Sequence, residues 1–408
     1  MNKKNCVVIF NNSWGEVDFI LPVLKDLNDK GYKIYSSFKS KNFLNQKKDY
    51  QDLYRILITF TEIINPKSKE ENRIVKFILN YLFRPKLILM KIKKFKFSKI
   101  NQYINNSSHD DTKLNIDYIL NQKIKIDYLL CADFDADNYL WIKNFRSKKF
   151  FLFPHALTLR GNHLNKYRNI KDKVFSKYFN ERLYKLKKYP QGSILFACNK
   201  DELNYFKNFT PQNIKLKIIG FPRLSDNWIS YLSKKQINKK YFFKKCKFIL
   251  LIIGKKTYLG NHEIIKKIHD VIKISEKFGY NLIIKNHPRN NFSIKKFKNY
   301  STKIDIFEAN ESISSTLNFC DIMILTSKSG VCLEGVFQKK LVIEYYQYNR
   351  SNIKNNTYEY QINGNYYSIY KLYKLAISCE RIFMLNKLFS SLKKNKNFKN
   401  QILKEQLN

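Results

Sequence analysis

Ile283-Ile284-Lys285-Asn286-His287-Pro288-Arg289 and Leu325-Thr326-Ser327-Lys328-Ser329-Gly330-Val331-Cys332-Leu333-Glu334 share one design: an apolar run stops abruptly in polar and cationic residues. Tyr280 to Ile284 read as a buried parallel strand, because the run is short, continuous and apolar. Pro288, which lacks an N–H, ends it. Lys285, His287 and Arg289 then fall at the carboxyl edge of a sheet, where open α/β folds hold their ligands. In the second stretch Asp321 to Leu325 form another strand, and Ser327-Lys328-Ser329-Gly330 turns the chain into a helix starting near Val331. Ser327, Ser329 and Gly330, with the unpaired N–H groups of that helix start, suit a phosphate or diphosphate. About forty residues separate the stretches, the length of one or two βα units, so the spacing predicts that they lie side by side on one sheet edge. Together they read as a site for a diphosphate-bearing nucleotide.

The rest of the chain supplies the frame for that edge. At 408 residues it is too long for a single core, and the pattern predicts two Rossmann-like α/β domains. The expected division is 1–235 for the acceptor side, 236–370 for the nucleotide-donor side, and C-terminal helices over 371–408 that are candidates to cross back to the first domain. A hydrophobic content of 44% supports a folded chain despite a net charge of +43. Only 11 of the 76 cationic side chains are arginine, and the lysines spread along the whole length. That is the profile of an AT-rich coding sequence, with lysine wherever a solvated cation is tolerated. A basic surface still favours anionic partners at low salt. A dedicated polyanion-binding protein is the rival class, but no helix-turn-helix, RNP or zinc-finger pattern is present, so nucleic acid is not an expected partner.

Seven cysteines are scattered without a CxxC pair, which argues for a reducing cytoplasm and against structural zinc. No metal and no cofactor are expected. No apolar run approaches the roughly 20 residues needed to cross a bilayer, so the protein reads as cytoplasmic, either soluble or peripheral on the inner face of the membrane. The segment over 73–100, RIVKFILNYLFRPKLILMKIKKFKFSKI, alternates apolar clusters with lysine and arginine. It reads either as an interfacial element for an anionic membrane surface or as two ordinary helices split at Pro85.

Taken in order, Cys6 to Phe10 read as a strand, Val17 to Leu27 as a helix and Tyr32 to Ser36 as the next strand. This is a Rossmann-like opening without the GxGxxG fingerprint. Glu16, in the first loop, reads either as a substrate contact or as plain turn chemistry. Ile56 to Thr61 is the expected third strand. Asp127 to Ala132 form a strand followed by Asp133, Asp135 and Asp137, whose carboxylates cap and solvate the strand end or offer a base or Mg²⁺ ligand. Lys149 to Phe153 form a strand ending in Pro154-His155, a position suited to acid–base work; His163 is a weaker candidate. Two more strands, Ile194 to Cys198 and Leu216 to Ile219, precede the turn Gly220-Phe221-Pro222-Arg223, which offers an arginine at its tip. Ser233 to Lys247 read as the linker. Phe248 to Ile253 open the second domain and run into Gly254-Lys255-Lys256-Thr257, which does not satisfy GxxxxGK[ST] and is not a P-loop. Asn261 to Phe278 is an amphipathic helix, and Leu341 to Tyr345 a late strand.

Four motifs in this order resemble the CDP-glycerol glycerophosphotransferases of teichoic-acid synthesis: Phe153-Pro154-His155-Ala156-Leu157-Thr158-Leu159, Gly220-Phe221-Pro222-Arg223, His287-Pro288, and Thr326 to Glu334 followed by Lys340 and a strand. The likeness covers residues 150–350. The family's Trp-His-Gly-Thr-Pro-Leu-Lys motif keeps its histidine here and loses its Trp, Gly and Lys. Leu224-Ser225 replaces the Asn-Asp of its Gly-x-Pro-Arg-Asn-Asp. CMP-sugar-dependent sialyl- and Kdo-type capsule transferases share the His-Pro motif and a Ser-rich helix start. UDP-GlcNAc 2-epimerases carry Ser-Gly-Gly-x-x-Glu-Glu, matched by Ser329-Gly330 and Glu334.

The resemblance implies a GT-B fold, two Rossmann-like domains facing each other across a cleft. It implies a metal-independent transferase that moves a glycosyl or glycerophosphate unit from a nucleotide-activated donor, CDP-glycerol or a CMP-sugar, to a growing cell-surface polysaccharide or lipid-linked acceptor. His155 would be the base. His287 with Arg289 would stabilise the departing phosphate, Arg223, Lys285, Ser327, Ser329 and Gly330 would surround the donor, and Glu334 would take ribose hydroxyls. The alternative with the same fold is an epimerase acting on UDP-GlcNAc.

Overall fold

The computed structural model describes residues 4–407 apart from 12, 41–43, 46, 48–49, 65–110, 133–137, 155–183, 209, 236–246, 255–260, 288–289, 291–292, 298, 310 and 349–359. The basic segment 73–100, Asp133, His155, His163 and Arg289 lie outside the described residues. Contacts divide the chain into two compact units, Met1–Ala156 with Tyr184–Ala197 and Thr210–Lys217, and Cys198–Phe209 with Ile218–Asn408.

The first unit is built on a seven-stranded sheet. Its strands are β1 (Asn5–Phe10), β2 (Lys33–Phe38), β3 (Glu62–Ile63), β4 (Tyr128–Cys131), β5 (Lys149–Leu152), β6 (Ser193–Ala197) and β7 (Ile214–Ile218), in the spatial order β3-β2-β1-β4-β5-β6-β7. β1 pairs parallel with both β2 and β4. Val7, Val8, Ile9 and Phe10 are fully buried, as a central strand covered on both faces requires. The helix Trp14–Asp29 returns the chain from β1 to β2.

Residues 56–61 correct the sequence reading. The chain forms a helix over Gln51–Phe60, and the strand beyond it is only Glu62–Ile63. Ile56 and Leu57 are buried whereas Ile58 is exposed. Leu53, Ile56, Leu57 and Phe60 fall at helical spacing, which outweighs the β-branched character of the run.

The second unit has a six-stranded sheet of β8 (Phe248–Ile252), β9 (Asn281–Lys285), β10 (Ile306–Glu308), β11 (Ile322–Leu325), β12 (Leu341–Glu344) and β15 (Ile377–Ser378), in the order β10-β9-β8-β11-β12-β15. All five neighbouring pairs are parallel. A short hairpin, β13 (Tyr360–Ile362) with β14 (Asn365–Tyr367), stands apart. The core runs from Ile249 and Leu251 on β8 through Ile268 and Ile272 of the helix Asn261–Phe278 to Leu385 and Phe389 near the C-terminus. The sequence leaves open where the last helices go. Ile382–Lys394 packs against Asn261–Phe278, and Lys396–Leu407 packs against β12 and the helix Cys332–Phe337, all in the second unit. Among the described residues no helix is long and apolar enough to cross a membrane.

The order of the second sheet also corrects the expected placement of the two organising stretches. They are not adjacent: β8 lies between β9 and β11. A doubly wound unit begins with its central strand, runs outward on one side and then crosses to the other. The chain reverses its direction of travel across the sheet at β8 and β11.

Candidate active site

The register sets one row of residues abreast at the carboxyl edge: Lys285 pairs with Ile252, Ile252 with Leu325, and Leu325 with Glu344. The loops that leave this row carry the candidate chemistry. Their meeting point is Gly254, two residues past the end of β8. Its N–H donates to Thr326 Oγ1 at 2.8 Å, and its carbonyl accepts from Asn290 Nδ2 at 2.9 Å. Thr326 in turn donates to the Ile252 carbonyl at 3.2 Å. A Cβ built on Gly254 would lie 2.0 Å from Ser327 Oγ and 2.7 Å from Ser327 Cβ. Only a residue without a side chain lets the loop after β8 pass this close to the loop after β11. The sequence contained a signal for this, since a glycine directly after an apolar strand marks a close backbone approach.

The loop after β9 is braced from within. Asn290 is buried; its N–H donates to the His287 carbonyl at 2.9 Å and its Nδ2 also reaches Asn286 Oδ1 at 3.0 Å. The half-buried His287 is therefore held in a short closed turn. Lys285 Nζ donates to the Glu311 carbonyl at 2.5 Å, which ties the end of β9 to the segment leaving β10. Asn290 was not singled out from sequence, although it closes the run Asn-His-Pro-Arg-Asn.

Beyond β11, Thr326 and Ser327 are buried, and Ser329, Gly330 and Val331 are partly exposed. The Ser329 carbonyl accepts from Cys332 N–H at 3.0 Å as the helix Cys332–Phe337 begins. Glu334, in its first turn, is 2% exposed. One carboxylate oxygen pairs with the Arg223 guanidinium and the other accepts from Ser314 Oγ at 2.8 Å. Arg223 lies in the short turn Pro222–Leu224 and Ser314 in the helix Ile313–Leu317. Phe221 and Phe337 make an edge contact beside the pair, with ring centroids 6.2 Å apart, and Asn318 donates to Ser233 at 2.6 Å. Two expected donor-binding residues, 111 positions apart, are thus brought together on each other. Ser314 carried no sequence signal beyond a Ser-rich helix start.

Of the remaining candidates, Glu16 is fully buried in the first unit. Its carboxylate accepts the Asn11 N–H at 2.7 Å and the Ser13 N–H at 3.1 Å. It organises the turn from β1 into the helix Trp14–Asp29.

No family model matches the chain, and no curated protein matches it in sequence. Solved structures do resemble it. The UDP-GlcNAc 2-epimerase from Methanocaldococcus jannaschii superposes with a TM-score of 0.56 at 14% identity, covering 96% of this chain and 94% of that one. The UDP-GlcNAc 2-epimerase from Neisseria meningitidis, solved bound to UDP-GlcNAc, gives 0.54 at 12% identity over 99% and 94%. An Arabidopsis thaliana UGT complexed with quercetin gives 0.52 at 12% identity over 99% and 94%. Two parallel-sheet α/β units together with these likenesses define a GT-B fold. The resemblance to the CDP-glycerol glycerophosphotransferases stays with the four motifs.

Proposed function

We propose that the protein is a transferase that moves a glycosyl or glycerophosphate unit from a nucleotide-activated donor to a growing cell-surface polysaccharide. The observation that supports this reading best is the gathering of Gly254, the Lys285–Asn290 turn and the Thr326–Gly330 loop at the reversal point of the second sheet, where α/β folds take nucleotides. In this reading Ser327, Ser329 and Gly330 bind the diphosphate, and Lys285, His287 and Arg289 offset charge building on the departing phosphate. Glu334 takes the ribose hydroxyls, and His155 removes the proton from the acceptor hydroxyl. With three basic side chains assigned to the leaving group, turnover is expected to survive EDTA.

The test is thermal-shift binding of CDP, CMP, UDP, GDP and ADP to wild type and to His287→Ala. A shift with one nucleotide that the variant loses supports the site and names the base. A CDP or CMP preference points to glycerophosphate or CMP-sugar chemistry, and a UDP preference to an ordinary nucleotide sugar. No shift with any of the five would remove the reading. His155→Ala should lower kcat by about 10²- to 10⁴-fold, as loss of a general base does, with nucleotide affinity unchanged. Consumption of UDP-GlcNAc with no acceptor present would favour the epimerase instead.

A further inference from the structure

We infer that Arg223 and Ser314 are positioning residues that hold the Glu334 carboxylate as a receptor for the vicinal hydroxyls of a ribose, and thereby set a preference for ribonucleotides over deoxynucleotides. The inference rests on the proposed reading of Glu334. Glu334 is almost completely buried, yet it is anchored by side chains from two other segments, one on each oxygen. A carboxylate has about four acceptor directions, so a donor on each oxygen fixes its plane. Stability alone is a poor reason for the arrangement, because the desolvation of a buried ion pair largely cancels its attraction. The cluster is also within reach of solvent, since the Arg223 side chain is 18% exposed. It stands on the helix that directly follows the Thr326–Gly330 loop. A hydroxyl pair reaching Glu334 would meet a carboxylate whose plane is already fixed, with less side-chain entropy left to lose.

A structural alternative uses the same contacts. Arg223 lies on the stretch from Ile218 that begins this part of the second unit, and the ion pair would then only fasten that stretch to the helices Ile313–Leu317 and Cys332–Phe337. The two roles separate in a binding ratio. Titrating the full-length protein with CDP against 2′,3′-dideoxy-CDP, and with UDP against 2′,3′-dideoxy-UDP, gives the hydroxyl preference directly. In wild type the ribonucleotide should bind about tenfold or more tightly, the worth of hydroxyl hydrogen bonds to a charged acceptor. Arg223→Gln should collapse that ratio to nearly one, Arg223→Lys should restore part of it, and Ser314→Ala should reduce it by a smaller factor. In a Glu334→Gln background the Arg223→Gln change should have no further effect on the ratio. Should Arg223→Gln fail to fold, Ser314→Ala, which removes a single hydroxyl, decides alone.

A lower melting temperature with an intact ratio in the Arg223 and Ser314 variants, while Glu334→Gln loses the ratio, would overturn the inference and leave the proposed site standing. A ratio unaffected by Glu334→Gln would remove the ribose role itself. Absence of binding by both wild-type pairs would remove the reading on which both depend.

Discussion

The two sheets reverse at corresponding places, between β1 and β4 in the first unit and between β8 and β11 in the second, yet the loops there are built in opposite ways. After β1, the backbone N–H groups of Asn11 and Ser13 are turned onto the carboxylate of Glu16, an anion supplied by the chain itself. After β8, the Gly254 N–H is held by a neutral hydroxyl, and the facing loop from Thr326 to Gly330 carries no carboxylate. A loop that has already folded around its own anion has little to offer a phosphate. One that is closed by hydroxyls and a glycine contact brings no anion of its own. In the proposed function this difference is the reason to place the phosphate at the second unit's reversal point and not at the first, although the two look alike in topology.

Glycine substitution should break this comparison most sharply. Gly254→Ala forces a methyl group into Ser327, so nucleotide-induced thermal shifts should vanish and stability should fall by about 1–3 kcal/mol, the usual cost of overpacking. Retained binding in that variant would mean that the loops after β8 and β11 do not form the site. A smaller effect, confined to the first unit, is expected of Glu16→Ala. It strands one buried backbone donor, the Asn11 N–H, at about 1–3 kcal/mol, while the partly exposed Ser13 N–H can turn to water. Urea midpoints should drop while nucleotide affinity stays within about twofold; loss of affinity would show that the first loop takes part in binding after all.

Alkaline pH should act less strongly and mainly on the second unit. Burial pushes the Cys379 thiol up to about 12 and raises Cys320 and Cys332 as well, from an ordinary value of 9.0. In the first unit burial, helped by Asp127, pushes Cys6 up to about 12. A raised thiol contributes stability that is complete below the unfolded value and is lost as pH climbs toward the folded one. Lys267 has the opposite sign. Burial lowers it from 10.5 to about 8, so the unfolded chain holds the extra proton between those values and stability gains as pH rises. Urea midpoints should therefore decline between about pH 9 and pH 11, and more steeply in Lys267→Met, which lacks the opposing gain. An identical slope in the variant would refute the assignment. The smallest effect is expected at Gly15, where a Cβ would stand 3.4 Å from Ser13 Oγ, an ordinary contact. Gly15→Ala, in the first turn of a helix, should stabilise by up to about 1 kcal/mol.

Much of the frame was legible because central parallel strands are short apolar runs bounded by polar residues, as β1, β8, β9 and β11 are. The same rule misread Ile56 to Thr61, where six residues cannot separate a strand from one face of a helix. Motif reading singles out His287 after β9, Ser327 and Ser329 in the loop after β11, and Glu334 in the helix that follows that loop, as candidates. It did not find what holds them. The insertion of β8 between the two stretches follows from the path of the chain across the sheet, and local spacing carries no trace of that. Arg223 with Glu334, and Asn290 with Gly254, are partnerships between distant segments that exist only after folding. Glu344 also escaped notice, fully buried at the end of β12 and accepting hydroxyl hydrogen bonds from Tyr348 and Ser368 at 2.7 Å each.

The six cysteines among the described residues are all buried, which makes them clocks for local opening. A maleimide reacts with a thiolate, and a thiol that is both enclosed and slow to ionise stays silent until its surroundings part. Labelling at Cys6 or Cys131 would time the parting of β1 and β4, and labelling at Cys332 that of the helix carrying Glu334. A nucleotide that seats beside that helix should slow the second clock and leave the first running, with no mutation made anywhere in the chain.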